Sequence, residues 1–363
     1  MQMTRVANGW LVAGLLVGVV HVARADTAMS LYGDTDAELK TTGSRSSTTE
    51  GFSAAHLDLF TTSTMGRWNF LSEVMFEAGT DNSFALDVER VEVGYLYRDW
   101  LRIAVGRFHT AFGYYNDAFH HGTYFMVPVN RPAMVAFEDG GGLIPAHNVG
   151  VHADGRIALG SGHLRYDLEL ANGHTSNRLE VQNSGDRNLS KAVNFRLRYE
   201  PGGDFDGLIV GGNLYFDSIP GGSIAAMAEP GATAPTSGLH EWIAGAHAAY
   251  LEHDIHFIAE VMAVQHTELD TKLQHRTYAA FVEVGRAFGA VTPFARYEWA
   301  QFPREGDPYF GRSYGDGYQG TSVGLKHATT DNVALKGQAG MTFFPHSNAA
   351  PILTLTAQLA FAF

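Results

Sequence analysis

The sequence contains no cysteine among its 363 residues. This absence excludes a disulfide framework, thiolate metal sites, covalent haem attachment and a cysteine nucleophile. Basic residues are also few, 25 against 38 acidic ones, and the net charge of −13 argues against nucleic acid as a partner. Only 17% of residues are charged, whereas 41 are glycine and 12% are aromatic. This composition is typical of a sheet protein whose outer wall does not face water.

Residues 1–25 have the pattern of a secretory signal. Arg5 supplies a short positive region, residues 10–20 form an apolar core, and Ala-Arg-Ala at 23–25 is a small-x-small cleavage site. We therefore expect a cleaved signal peptide over 1–25 and a mature domain over 26–363. An anchoring helix is the alternative, which the short core and the cleavage site disfavour. No later segment is apolar enough over a sufficient length to predict a spanning helix.

The rest of the chain repeats one pattern, about ten alternating residues followed by a turn. In residues 191–200, one face of the predicted strand is apolar and the other is polar. The apolar face carries Val193, Phe195, Leu197 and Tyr199, and the polar face carries Asn194, Arg196, Arg198 and Glu200. Sixteen such segments occur, and tight connections alternate with longer ones, as in transmembrane barrels. The sequence predicts an all-β protein, a single antiparallel transmembrane β-barrel of about 16 strands.

Two other architectures fit parts of this pattern. A soluble β-sandwich also has regular strands but does not need alternating long and short connections. A propeller should show a blade repeat, which the sequence lacks. Within the barrel prediction, the strand count becomes 14 or 18 if one segment is merged or split.

A short run suggests a family. Residues 105–114, VGRFHTAFGY, are similar to a G-[QKR]-F-x-T-P-F-G run in phosphate-selective and related porins, with Ala111 where proline is usual. With the export signal, the alternating strands and the terminal Phe363, the chain resembles Gram-negative outer-membrane porins. That resemblance implies an outer-membrane location, recognition of Phe363 as an assembly signal by the barrel-assembly machinery, and a homotrimer. The chain has only five lysines, so a phosphate-specific lysine ladder is poorly supported.

The longest connection, residues 109–146, is the third outer loop of the predicted barrel. It is too rich in aromatic residues for a disordered loop, and loops of this length are commonly functional. It is similar in order and length to the third loop of general porins, which folds into the barrel and sets the pore size. We expect it to be a constriction loop, with five residues available to the pore: Arg131, Glu138, Asp139, His120 and His121. The alternative is a loop folded over the mouth or into a neighbouring subunit.

Charged residues on the predicted inner faces form two candidate stripes. Arg165, Arg196 and Arg198 lie on adjacent strands and predict a basic stripe. Glu73, Glu77 and Glu92 predict an acidic stripe on the facing wall. These groups either create a transverse field that orients solutes or pair across strands to stiffen a wet wall.

Histidine is abundant, with 17 residues. Four of them lie in or beside the third loop with several carboxylates: His109, His120, His121 and His147. Imidazole and carboxylate groups together suit zinc, copper or nickel, but the spacing matches no ligand motif. We therefore predict no metal site and no cofactor, and pH-dependent gating is the other interpretation of these residues.

The sequence shows no G-x-S-x-G, H-E-x-x-H or P-loop motif, so we expect no enzymatic activity. A Ser–His pair in a barrel needs no local motif and stays open. The predicted function is an outer-membrane porin that passes small hydrophilic solutes or ions by passive diffusion, in contact with outer-membrane lipid. The alternatives are a substrate-selective channel for an anion or organic acid, and a non-conducting barrel scaffold.

Overall fold

The computed structural model describes residues 25–41, 48–53, 56–78, 84–120, 122–137, 140–178, 185, 188–221, 237–310, 317–345 and 349–363. Nearly all of the predicted signal peptide therefore lies outside the described residues. Within these described ranges, seventeen strands form a single antiparallel sheet. They are β1 (Asp26–Thr41), β2 (Thr48–Ser53), β3 (Leu57–Met65), β4 (Trp68–Ala78), β5 (Phe84–Arg98), β6 (Leu101–His109), β7 (His147–Leu159), β8 (Gly162–Ala171), β9 (Ala192–Glu200), β10 (Leu208–Ile219), β11 (Leu239–Tyr250), β12 (Ile255–Glu268), β13 (Gln274–Arg286), β14 (Val291–Gln301), β15 (Gly317–Ala328), β16 (Val333–Phe343) and β17 (Ile352–Ala362).

The sheet closes into a 16-strand barrel. Apart from β2 and β3, each strand pairs with its neighbour in sequence, and β1 pairs with β17 to complete the ring. Strands β2 and β3 count as one, because both pair with β1 along different parts of its length. The predicted barrel and its strand number are therefore confirmed, with β2 and β3 together taking one place in the ring.

Alternation places apolar side chains outside the barrel and polar ones inside. On β9, Val193 and Phe195 are 39% and 40% exposed, whereas Asn194 and Arg196 are each 1% exposed. A period of two in the sequence produces this two-faced wall, because successive side chains of a strand point to opposite faces. An exception occurs in β5, where a bulge opposite Glu73 turns both Glu89 and Arg90 away from the exterior.

Tight turns close one end of the barrel, which we call the turn end. They include Gly66–Arg67, Asp99–Trp100 and Gly160–Ser161. The opposite, loop end carries most of the longer connections. One connection there departs from the predicted alternation, because residues 269–273 form a compact turn closed by a hydrogen bond from Lys272 N to Glu268 O.

The core of the molecule lies inside the barrel, not between sheets. A helix, α1 (Tyr115–Ala118), and a short 3-10 turn at Ala133–Val135 both belong to the connection between β6 and β7. A second 3-10 turn, Gly203–Phe205, lies at the turn end. Among the described residues, no helix has the length and apolar character that crossing a membrane would require.

Candidate functional site

The described part of residues 110–146 lies inside the barrel, and we call this segment the inner loop. Inward side chains of several strands accept hydrogen bonds from its backbone N–H groups. Glu260 on β12 binds Tyr114 N at 2.9 Å and Tyr115 N at 2.6 Å. Further round the wall, Glu169 of β8 accepts from Ala111 N and Glu298 of β14 from Ala133 N. The prediction that the third long connection folds inward is thus confirmed.

Apolar contacts hold the same segment against one side of the wall. Phe112, Tyr115 and Met134 of the inner loop belong to one buried cluster with inward residues of β11 to β13. The rings of Tyr115 and Phe281 meet edge to face, with centroids 5.8 Å apart. The inner loop is therefore packed like a protein core on this side.

Gly113 permits a close approach of the inner loop to the wall. Its φ is +65°, a left-handed backbone conformation that residues with a side chain rarely adopt. A Cβ at this position would lie 2.0 Å from Oε2 of Glu260. Both the backbone conformation and the space available therefore require glycine.

Arg196 is the centre of an ion-pair cluster beneath the inner loop. Its guanidinium donates to Asp167 Oδ2 at 2.8 Å, to Gly113 O at 3.0 Å and to Asp117 Oδ2 at 2.8 Å. Arg198 lies 3.6 Å from the same Asp117 carboxylate. Burial alone would raise the pKa of Asp117, but the two guanidinium groups outweigh it and hold that pKa below its usual value.

The three arginines of the predicted basic stripe lie on the neighbouring strands β8 and β9. Arg165 and Arg198 are direct cross-strand partners on β8 and β9. Arg165 pairs with Glu200 at 2.7 Å, and its side chain is the most exposed of the three arginines. Each arginine of the stripe therefore has a carboxylate beside it.

Arg131 organises the inner loop. Its guanidinium donates to Val135 O at 2.9 Å, to His120 O at 2.7 Å and to Asn116 Oδ1 at 3.0 Å. It also lies over the Phe137 ring, 4.7 Å from the centroid. Most donors of this predicted constriction residue therefore bind the inner loop itself.

The other side of the barrel interior contains a cavity of about 260 Å³. Carboxylates from β1, β4 and β5 line its wall, and the inner loop contributes Arg131, Phe137 and His120. The carboxylates are those of Asp34, Asp36, Glu77, Asp87 and Glu89. Five acidic groups and one guanidinium line this space, which we call the acid-lined cavity.

The three glutamates of the predicted acidic stripe have different surroundings. Glu77 lines the acid-lined cavity. Glu73 pairs with Arg90, and Glu92 pairs with Arg102 at 2.6 Å. Their strands, β4 and β5, are four positions from β8 and β9 in a ring of 16, so the two stripes lie a quarter of the circumference apart and not on facing walls.

Sequence reasoning missed most of the cavity wall. Asp34 and Asp36 stand at alternate positions of β1, which is the signal that could have identified them. Glu89 could not be found by alternation, because the bulge in β5 breaks the period at that residue. Glu138, Asp139 and His121, also predicted for the constriction, lie outside the described residues.

Three of the histidines singled out in the sequence meet at the base of the inner loop. His109 and His147 are cross-strand partners on β6 and β7, at the two ends of that loop. The His120 ring stacks on that of His109, with centroids 3.4 Å apart. His120 Nε2 lies 2.7 Å from His147 Nε2, and Glu89 Oε2 lies 2.6 Å from the same His147 nitrogen.

A second group of titratable residues fixes other loops at the loop end. His266 of β12 contacts Glu241 at 2.7 Å and Asp307 at 2.8 Å. Glu241 also contacts His174 at 3.0 Å. Asp307 accepts from the backbone N–H groups of Tyr309 and Phe310 as well. These groups neutralise one another and tie the segments around His174 and Asp307 to the wall.

Comparison with protein-family models gives no match, and comparison with curated protein sequences gives none either. Solved structures do match. The outer membrane channel DcaP of Acinetobacter baumannii has a TM-score of 0.58 at 12% identity, over 94% of this chain and 98% of that one. A trimer form of OmpT, an outer membrane protein of Vibrio cholerae, has a TM-score of 0.56 at 11% identity, over 93% and 99%. OprB of Pseudomonas putida has a TM-score of 0.55 at 8% identity, over 93% and 94%.

These similarities extend over nearly the whole of each chain, but the identities are low. They show that the chain has the fold of outer-membrane β-barrels such as these. The phosphate-selective subtype suggested by residues 105–114 finds no support in them. At such identities they carry no information on solute or selectivity.

Proposed function

We propose that the protein is an outer-membrane diffusion channel for small hydrophilic solutes and ions, with a preference for cations. The observation that carries this proposal is the acid-lined cavity between the inner loop and the wall of β1, β4 and β5. A constriction lined by carboxylates attracts cations and repels anions. The inner loop narrows the passage, because it lies inside the barrel and lines this cavity.

The outer surface of the barrel supports a membrane location. Apolar side chains face outward from strand after strand, among them Val105, Leu168, Val261 and Leu325. At the turn end, Trp68 packs on Tyr95 and Tyr97 on Trp100, with ring centroids 5.0 and 5.8 Å apart. Aromatic girdles of this kind are typical of the interface between lipid and water.

Anion selectivity finds less support. The basic stripe of Arg165, Arg196 and Arg198 is balanced by neighbouring carboxylates, so it presents little net field to a passing solute. A non-conducting scaffold is favoured by one observation, the dense packing of the inner loop on the wall of β11 to β13. We keep that scaffold as the second candidate. The absence of enzymatic activity stays a prediction from the sequence.

Assembly and partners are part of the same proposal. The trimer form of the similar Vibrio cholerae protein supports a homotrimer embedded in outer-membrane lipid. Phe363 exchanges backbone hydrogen bonds with Leu31 of β1, at 2.7 and 2.8 Å, and its side chain is exposed. An exposed terminal ring beside the closing strand pair is accessible to a barrel-assembly machinery, as the porin resemblance implies.

Planar-bilayer recording tests the channel. We expect steady single-channel conductance and, in a KCl gradient, a reversal potential of the sign given by cation preference. The variant Asp36→Asn/Glu77→Gln/Asp87→Asn should lower that preference severalfold, because it removes three carboxylates from the cavity. The control Asp99→Asn/Asp204→Asn/Asp331→Asn removes the same charge from exposed turns and should change the reversal potential little.

Two results would contradict the proposal. A folded, heat-modifiable barrel without conductance would favour the scaffold. Anion preference, lost in Arg198→Ala and unchanged in the triple cavity variant, would favour the selective anion channel.

A further inference from the structure

The meeting of His109, His120 and His147 goes beyond what a diffusion channel needs. One ligand atom from each of these residues lies within 4.8 Å of those of the other two, and all three side chains are buried. They come from the two ends and the interior of one long connection. Such convergence costs conformational freedom and desolvation, so it calls for a physical cause.

The tautomer of His120 can be read from its surroundings. Its Nδ1 lies 3.1 Å from the carbonyl oxygen of Asn116, which can only accept, so Nδ1 carries a proton. In the neutral ring, Nε2 then carries a lone pair and points at His147 Nε2, 2.7 Å away. Asn116 is itself held by Arg131 and by a hydrogen bond to Thr110 O. A histidine whose other nitrogen is bound by a carbonyl is the usual arrangement of a metal ligand.

The atoms around His147 Nε2 are placed so that they can share a cation. This nitrogen faces two acceptors, the lone pair of His120 Nε2 and the Glu89 Oε2 carboxylate oxygen at 2.6 Å. A neutral imidazole nitrogen offers either one proton or one lone pair, so a single proton cannot serve both contacts fully. A metal ion between them would bind all three atoms through their lone pairs. Nitrogens bound to tetrahedral zinc lie about 3.3 Å apart, so small side-chain rotations would suffice.

The position of the three imidazoles gives an ion access. His120, His147 and Glu89 all line the acid-lined cavity, where neighbouring carboxylates attract cations. His109 closes the site from behind, stacked on His120 and 3.5 Å from Glu73. Three imidazoles with one carboxylate suit zinc, copper or nickel, and they do not suit magnesium or calcium, which prefer oxygen ligands.

We infer that His109, His120 and His147, with Glu89 as fourth ligand, bind one divalent transition-metal ion at the edge of the acid-lined cavity. The ion would fasten His120 of the inner loop to the strand ends that carry His109 and His147. This inference is independent of conductance, because binding can be measured whether or not the barrel transports anything.

The second cluster of the molecule is a weaker candidate and a useful comparison. His174, Asp217 and Glu241 also bring three ligand atoms together. There, however, Asp217 Oδ2 accepts from His174 N at 2.6 Å, and Glu241 is shared between His174 and His266. Carboxylates and imidazoles already compensate one another, so an added cation gains little.

The test is metal binding to the full chain, expressed and purified in detergent with an affinity tag that contains no histidine. Titration with Zn²⁺ against a chromophoric chelator should give one site per chain. His120→Ala and His147→Ala should each weaken that site at least about tenfold, the size typical for disturbing a metal site. His240→Ala and His253→Ala, which change exposed histidines elsewhere, should leave it unchanged. Equal binding by all four variants, or loss of binding in His174→Ala alone, would overturn the inference.

A spectroscopic measurement on the unaltered protein tests the site even if the variants fail to fold. With one equivalent of Cu²⁺, electron paramagnetic resonance should show coupling to several imidazole nitrogens. A spectrum of oxygen ligation only, or no bound Cu²⁺ after gel filtration, would also overturn the inference. Heat modifiability on gels checks that each variant is a folded barrel before its affinity is compared.

Discussion

The two sides of the barrel interior use the same kind of residue in opposite ways. On the packed side, from β8 to β14, inward carboxylates such as Glu169, Glu260 and Asp167 bind backbone N–H groups or guanidinium groups. On the cavity side, Asp36, Glu77 and their neighbours line an accessible space. An inward carboxylate therefore stabilises the fold where the inner loop covers it and shapes the electrostatic field where it does not. Variants on the two sides should separate stability from selectivity.

The largest effect should come from Arg196. The variant Arg196→Met removes the buried guanidinium that Asp167 and Asp117 share and leaves them only the longer contacts to Arg198. Removing one partner from a buried ion pair costs about 3–5 kcal/mol. Urea unfolding in detergent should show this loss. Arg165→Met, whose side chain is 41% exposed, should cost under about 1 kcal/mol. Equal losses in both variants would contradict the division into two sides.

Asp307 should give the next effect, with a defined pH dependence. Its burial would raise its pKa, but His266 and two backbone N–H groups outweigh this and hold the pKa below its usual value. Its contribution is therefore complete above the ordinary value of about 3.8 and is lost as pH falls through the lower folded value. Asp307→Asn should cost about 1.5–3 kcal/mol at neutral pH, the value of hydrogen bonds to a charged group.

Acid titration checks the sign of that prediction. In the unaltered protein, unfolding free energy should fall below pH 4, and in Asp307→Asn the corresponding part of this fall should be missing. An unchanged pH profile in the variant would show that Asp307 does not contribute.

A smaller effect is expected at Gly113, and Gly160 at the turn end provides the control. Gly113 and Gly160 have nearly equal φ values, +65° and +60°, but only Gly113 has neighbours within 4 Å of an added Cβ. Alanine at either position strains the backbone. At Gly113 the added Cβ also overlaps with the Glu260 carboxylate. Gly113→Ala should therefore lose about 1–2 kcal/mol more than Gly160→Ala, within the range for overpacking. Protease cleavage of the inner loop should increase in the first variant only.

The smallest stability effect should belong to the cavity side. Asp87→Asn and Glu77→Gln should each change the free energy of unfolding by no more than about 0.5 kcal/mol, as at surface positions. The same variants should still lower cation preference in bilayers. A stability loss comparable to that of Arg196→Met would mean that both sides are structural.

Much of the barrel could be predicted from local sequence patterns, because apolar and polar residues alternate within each strand on its own. The faces of residues 191–200 emerged as predicted, with Arg196 inside and Phe195 outside. The aromatic content of residues 109–146 also indicated correctly that this connection is packed. Both signals lie in a short window of sequence, where periodicity and composition suffice.

The candidate site could not be derived in this way, because its contacts join distant residues. Tyr115 N donates to Glu260, 145 positions away, and nothing in the sequence around either residue indicates this contact. The three histidines meet only because the β6–β7 register places His109 opposite His147. The break between β2 and β3 and the bulge at Glu89 likewise depend on the partner strands. Register and packing are properties of the closed barrel, and spacing in the sequence does not contain them.

The pairing of β1 with β17 has a consequence for folding kinetics. Tyr32 lies opposite Ala362, so the contacts that seal the ring are separated by almost the whole chain. Every other neighbouring strand pair is local in sequence. The β1–β17 pairing therefore has the largest sequence separation among the strand pairs and raises the contact order of the barrel. High contact order makes folding slow. Translation must reach β17 before β1 gains its second neighbour, so β1 keeps an open edge, which is prone to aggregation, until the seam closes.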